Sequence, residues 1–258
     1  MTPKRGAGIG MDVSAMPYGW RGRIGRIAPG TGMQGAEEMR RWAPDGVLII
    51  PSWIPLRHVD ADDMRAMMGH FERAAVDLKE HTLDLIIQCC GAGTFVNGRG
   101  YDEEVIASSE RATDVRTTTM MLSVIRALEV LRLRRVVLAT PYPDALSDLL
   151  VKYLEEYGVE VLARRGFQLV DPRELPRFSP AGAYTICREV HAMAPEADGI
   201  LFAGGGHRTF EVIERLETDT GIPVVTSNQA SLWNVLRMVG VRDRISGLGT
   251  LLNDGPDA

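Results

Sequence analysis

Cys90 is the residue best placed for chemistry. It follows the apolar run 83–88 and opens the turn Cys90-Gly91-Ala92-Gly93-Thr94, with a helical pattern beyond it. Amide N–H groups of Gly91, Ala92 and Gly93 at such a turn favour a thiolate. That predicts a Cys90 pKa below the ordinary value of about 8.5 and faster alkylation there than at Cys89 or Cys187. Strand side chains alternate, so Cys89 points the other way and reads as structural. Cys187 falls inside a helical pattern and reads the same way. A second glycine turn, Gly204-Gly205-Gly206, leads into His207. Its glycines are consecutive, so it fits neither the P-loop nor the dinucleotide fingerprint. His207 stands at a strand end as an acid–base candidate. His58, His70, His81 and His191 read as surface residues.

Around these turns the sequence places small donors at predicted strand ends. Thr31, Gly91, Ala92, Thr94, Thr118, Tyr142, Gly204, Gly205 and Gly206 form a ring with almost no carboxylate in it. Backbone N–H groups and hydroxyls in that arrangement suit a small anion, and the Tyr142 phenol can donate to a substrate carboxylate. No Cys/His/Asp spacing fits a metal, so activity should survive chelation, and no Ser-His-Asp signature is present. Arg21, Arg23 and Arg26 cluster at the first strand and read as a solvated edge rather than a phosphate site.

The elements that must position these residues alternate. Apolar, β-branched runs lie at 23–28, 46–51, 83–88, 115–119, 135–140, 159–163, 199–203 and 223–227. Most are nearly continuous, as strands of a sheet covered on both faces require. Helical patterns lie between or after them at 34–42, 60–81, 102–113, 121–131, 144–157, 181–193, 208–218 and 230–239. Gly158 stands where a helix C-terminal glycine belongs. The order predicts an α/β fold with parallel strands. It also repeats: 61 residues separate Pro29 from Cys90, and 64 separate Thr140 from Gly204. Two pseudo-symmetric halves account for this, each a four-stranded parallel sheet flanked by helices. One eight-stranded sheet would give the same alternation. The halves are assigned as 22–120 together with 229–258, and 121–228, after a flexible N-terminal extension at 1–21.

Composition narrows the class. The 258-residue chain carries 29 Lys+Arg against 34 Asp+Glu, a net charge of −5, which argues against a nucleic-acid footprint. No apolar run approaches 18 residues, so no membrane span is expected. Residues 1–20 lack the apolar core of a secretory signal. Three cysteines, two of them adjacent, read as free thiols in a reducing cytoplasm.

With these residues in view, the chain resembles the Asp/Glu racemase superfamily, within it the branch of maleate cis–trans isomerases and arylmalonate decarboxylases. The resemblance spans roughly 23–239 and rests on CGAGTFVNGRGYDEE (90–104), RRVVLATPYPDALSD (134–148), GILFAGGGHRTFEVIERLE (199–217) and GIPVVTSNQASLW (221–233). It implies two facing α/β halves with the site between them, no metal or organic cofactor, and a small carboxylate substrate. Cys90 matches the first-half cysteine of the family and Tyr142 its substrate-binding tyrosine. Where the second-half cysteine would stand, this chain has Gly204. That mirrors the decarboxylases, whose single cysteine lies on the second half. Gly91 and Ala92 replace the hydroxyl residues that help hold a carboxylate there. Residues 29–32 lack the asparagine of the isomerases.

The resemblance therefore implies, first, a cofactor-independent carbon-acid enzyme, an arylmalonate decarboxylase-like lyase with Cys90 as proton donor. A maleate isomerase-like enzyme would instead use Cys90 as nucleophile, with His207 replacing the second acid. A catalytically silent ligand-binding homologue is the third reading. Neither nucleic acid nor membrane is an expected partner, and a homo-oligomer is compatible with all three. A Gly204→Cys substitution should cost little if φ is negative there, and about 1–2 kcal/mol if φ is positive.

Overall fold

The computed structural model describes residues 18–253. The proposed extension at 1–21 lies outside them except for Tyr18–Arg21. The first sheet contains β1 (Gly22–Pro29), β2 (Val47–Ile54), β3 (Leu85–Gln88) and β4 (Thr117–Thr119), paired in parallel in the order β2-β1-β3-β4. The second contains β5 (Arg135–Thr140), β6 (Glu160–Gly166), β7 (Gly199–Phe202) and β8 (Val224–Thr226), in the equivalent order β6-β5-β7-β8. Two four-stranded sheets of the same topology replace the single-sheet alternative. The innermost strands are wholly apolar where they are most covered: Leu85, Ile86 and Ile87 in β3, and Ile200, Leu201 and Phe202 in β7, are buried.

Helices α1 (Met33–Trp42), α2 (Ala61–Met68), α3 (Phe71–Lys79), α4 (Gly91–Phe95) and α5 (Tyr101–Thr113) belong to the first half. Helices α7 (Asp144–Glu156), α8 (Pro180–Met193) and α9 (Phe210–Thr220) belong to the second. The helix expected over 60–81 is two: Asp60 caps α2, and the chain turns at Gly69-His70 before α3 starts. Glycine is a poor helix-interior residue, so the break falls there. The turn after Cys90 is itself the short helix α4, which the glycine-rich sequence had suggested was loop. Gly158 adopts φ +76 just past α7, as a helix-terminating glycine should.

Helices α6 (Met120–Val130) and α10 (Ser227–Met238) follow β4 and β8 directly and pack on one another. Each starts with a threonine cap: Thr119 accepts from the Leu122 N–H, and Thr226 forms a capping box with Gln229. Their contact joins the halves. The Asn234 amide donates to Thr118 and Ser123 hydroxyls at 3.3 and 3.0 Å, and its carbonyl accepts from Arg126 at 2.9 Å. Helix α10 also packs on β3 and α1, whereas α11 (Gly249–Asn253) packs on α9 and β8. The C-terminal stretch thus divides between the two halves.

Candidate active site

The cleft between the sheets follows from their topology: parallel strands direct their carboxyl ends, and the loops there, toward one shared space. Pro29, Thr31 and Gly32 come from the end of β1. Cys89, Cys90 and Gly91 come from the end of β3. Pro141 and Tyr142 follow β5, and Gly204, Gly205 and Gly206 follow β7. These residues, with Leu56, Met64 and Leu175, enclose a cavity of about 30 Å³. One side is thiol, phenol and glycine backbone; the other is aliphatic. A wider recess of about 670 Å³ adjoins it, sharing Thr31 and Leu56 and lined further out by Arg57, His58 and Arg173. The loops bounding that recess are tied by the Val59 N–H donating to the Val170 carbonyl at 3.2 Å.

Cys90 is the N-cap of α4, in extended conformation. Its sulfur receives the Gly93 and Ala92 N–H groups, yet burial outweighs them and pushes the thiol up to about 11. The lowered pKa expected from sequence is therefore corrected. The glycine amides are in place, but the site is closed around the sulfur and penalises its charge. At neutral pH Cys90 is a thiol. Its carbonyl is fixed by the buried Gln88 amide, which donates at 2.8 Å. Tyr142, raised by burial, is close enough to Cys90 for the two ionisations to oppose each other. Its ring packs edge-on against Phe95.

The remaining ring residues divide. Thr31, Gly91, Tyr142, Gly204, Gly205 and Gly206 line the cavity. Ala92, Thr94 and Thr118 do not. Thr94 donates to the Gly91 carbonyl at 3.0 Å and so braces the first turn of α4. Thr118 is engaged by Asn234 at the joint between the halves. His207 is also off the lining, in correction of its expected place facing the ligand. Its ring lies between Phe178 and Phe202, and Nδ1 pairs with the Leu175 carbonyl at 3.0 Å. Burial lowers its pKa to about 4, so it is neutral and holds the cavity-lining Leu175 in place.

Three features escaped the sequence. Cys89, read as structural, also lines the cavity. Leu56, Met64 and Leu175 supply its aliphatic side from segments far apart in sequence. Arg26, read as part of a solvated edge, is completely buried. Strand β1 is internal to its sheet, flanked by β2 and β3, so there is no edge for Arg26 to occupy. Among the described residues no group of three or more His, Cys, Asp or Glu side chains could hold a metal, and no helix is long and apolar enough to cross a membrane.

The family model for arylmalonate decarboxylase matches residues 26–252, which include every strand but the first half of β1 and the whole cavity. The chain belongs to the arylmalonate decarboxylase family. This family member is 31% identical over 147 residues to arylmalonate decarboxylase from Bordetella bronchiseptica; that match covers 57% of the chain and 61% of the relative's length. It is 24% identical over 245 residues to maleate isomerase from Pseudomonas putida strain KT2440, covering 90% of the chain and 97% of the isomerase. Among solved structures, a glycine-to-cysteine, cysteine-to-serine double mutant of arylmalonate decarboxylase in its liganded form superposes with a TM-score of 0.86 at 27% identity. That superposition covers 91% of this chain and all of the other. Maleate isomerase from Pseudomonas putida S16 superposes with a TM-score of 0.84 at 23% identity, a likeness of fold.

Proposed function

We propose that this family member is a cofactor-independent lyase that decarboxylates an α-substituted malonate, with Cys90 as the proton donor. The observation that carries the reading is the geometry at Cys90: its buried thiol lines one cavity with the glycine backbone of Gly204–Gly206, and burial favours its protonated form. Loss of CO2 from a malonate dianion leaves an enediolate. The S–H proton passes to its α-carbon, giving the monocarboxylate and a thiolate that water reprotonates. One acid on one face suffices, and delivery from that face sets the product's configuration. Stabilising the enediolate is the larger demand, and each preorganised donor is worth about 10²–10³ in rate. The donors available are the N–H groups of the two glycine turns, the Thr31 hydroxyl and the Tyr142 phenol. Leu56, Met64 and Leu175 give the cavity an aliphatic side toward which the apolar arm of such a substrate would be directed; maleate has no such arm.

A second reading, cis–trans isomerisation of a maleate-like diacid, draws support from Cys89. It gives the cavity a second thiol. In that reaction one cysteine must attack as thiolate, which the burial of both sulfurs opposes. His207 does not replace the second acid, because it is neutral and off the cavity.

The deciding experiment supplies phenylmalonate, alkylphenylmalonates and maleate in turn and follows CO2 release, fumarate formation and product chirality. The expected result is CO2 release with one enantiomer in excess, abolished in Cys90→Ala. Fumarate from maleate without any CO2 release would transfer the assignment to the isomerase.

A further inference from the structure

Among the described residues, Arg26 is the one cationic side chain with no solvent exposure at all. Its three guanidinium nitrogens find no oxygen or nitrogen partner; the Cys89 thiol, a weak acceptor, lies close enough to interact with it. A guanidinium cannot shed its proton in a protein, and an isolated buried charge costs several kcal/mol. The unpartnered cation therefore calls for an anion.

Its surroundings indicate where that anion sits. A methyl group on Gly35 would stand 2.8 Å from Arg26 Nη2, 2.6 Å from Asn228 Oδ1 and 2.5 Å from the Gly205 carbonyl oxygen. Gly35 is thus bare so that the guanidinium can reach the start of α10 and the second glycine turn. A methyl on Gly32 would stand 3.9 and 4.0 Å from Nη2 and Nη1. Gly32, Gly205 and Cys89 all line the cavity, so Arg26 lies directly behind its wall on three sides. The N-terminal turn of α10, which carries Asn228, adds to the same positive potential rather than offsetting it. The buried carboxylate Glu38 is engaged elsewhere: it accepts from the Thr209 and Phe210 N–H groups and from Asn228 Nδ2.

We propose that Arg26 is the counter-charge for a doubly charged substrate and makes the cavity select dicarboxylates over monocarboxylates. The inference rests on a small dicarboxylate entering this cavity. It does not depend on which reaction follows, because a malonate and a maleate are both dianions. In decarboxylation both negative charges remain after CO2 departs and gather on the enediolate, so a fixed cation there favours the transition state as well as binding. The monocarboxylate product, with one charge, binds less tightly and leaves.

The test uses a Cys90→Ala background, which binds without turnover, and calorimetry with phenylmalonate, maleate and phenylacetate at one ionic strength. Arg26→Met should weaken both dianions by about 30-fold or more and phenylacetate by less than about 3-fold. Arg26→Lys should keep most of the dianion preference. The unliganded Arg26→Met protein should melt no lower than its parent, because an apolar side chain of similar reach replaces an uncompensated charge. Dianion affinity unchanged in Arg26→Met, or equal losses for dianions and phenylacetate, would overturn the proposal. Should Arg26→Met fail to fold, Arg26→Lys decides alone, and loss of the preference there overturns it. If neither malonate releases CO2 while the Arg26-dependent preference persists, the lyase reading falls and this one stands.

Discussion

The Gln88 side-chain amide donates to the Cys90 carbonyl at 2.8 Å, two residues along the same chain and wholly inside the protein. Strand β3 ends at Gln88, so this bond replaces the sheet pairing that the chain gives up as it turns into α4. It fixes the peptide that carries the thiol. Gln88→Leu should cost about 0.5–1.5 kcal/mol, read from a thermal or urea melt, because the carbonyl keeps only the Gly93 N–H as its partner. It should also lower turnover by about tenfold or more through misplacement of Cys90. Wild-type turnover in a folded Gln88→Leu protein would show that α4 alone positions the sulfur.

Cys90 itself should behave as an acid with a high pKa. Its iodoacetamide labelling should be slow at neutral pH and rise with a midpoint near 11, since burial outweighs the Gly93 and Ala92 N–H groups. The fold favours the protonated form, so this contribution to stability is fully present below the unfolded value and is lost as pH rises through about 11. Cys90 should still label before Cys89 and Cys187, because it is 8% exposed against their 2% and 1%. Cys90→Ser should lose about 10²–10⁴ in rate, the usual value of a positioned proton donor. A labelling midpoint near 7 would mark a preformed thiolate and favour the nucleophilic isomerase.

Much of this was legible in sequence, for reasons visible in particular residues. Short, continuous, β-branched apolar runs such as Leu85–Ile87 read as doubly covered strands, and the near-equal spacings from Pro29 to Cys90 and Thr140 to Gly204 point to two halves. Cys90 and Tyr142 are legible as cavity-lining residues because strand ends are where such folds place ligands. What stayed hidden was three-dimensional. No local pattern says that Arg26 sits on an internal strand, or that Leu56 and Leu175 meet across the cleft. His207 follows a strand end as expected, but its ring is drawn back between Phe202 of β7 and the Leu175 carbonyl and Phe178 of a distant segment.

Glu38 should give the protein a pH-dependent stability in the mildly acidic range. Burial raises its pKa to about 7, despite two backbone N–H groups and Asn228 favouring the charged form. The folded state then binds the proton more tightly than the unfolded state. The corresponding stability is complete below the unfolded value of about 4.5 and is lost as pH rises through about 7, on the order of 3 kcal/mol in all. Urea midpoints at pH 5 and pH 7.5 should differ in wild type by this contribution, and Glu38→Gln should remove it. Parallel pH dependence in the two proteins would mean that the α9 amides hold Glu38 ionised throughout.

Gly204 offers the sharpest test of the mirrored arrangement. It adopts φ +137, a conformation that side-chain-bearing residues rarely take, and its amide donates to Ser227 Oγ at 3.1 Å. A Cβ there would stand 3.0 Å from both Pro141 Cγ and Cδ. The substitution cost therefore follows the positive-φ case: Gly204→Cys should lose about 1–2 kcal/mol from the backbone alone. For a chain of this size that is a fall of about 2–8 °C in melting temperature. Adding Pro141→Ala should recover only the steric part. In either folded variant the new thiol rises from the glycine turn facing Cys90, so an enantiopure product can be deprotonated from one face and reprotonated from the other. Deuterium exchange at its α-carbon, slow in wild type, should become clearly faster, accompanied by loss of optical rotation. A folded variant with no gain in exchange would show that a residue at 204 cannot reach the α-carbon held by Cys90, and the single-thiol lyase would lose its symmetry argument.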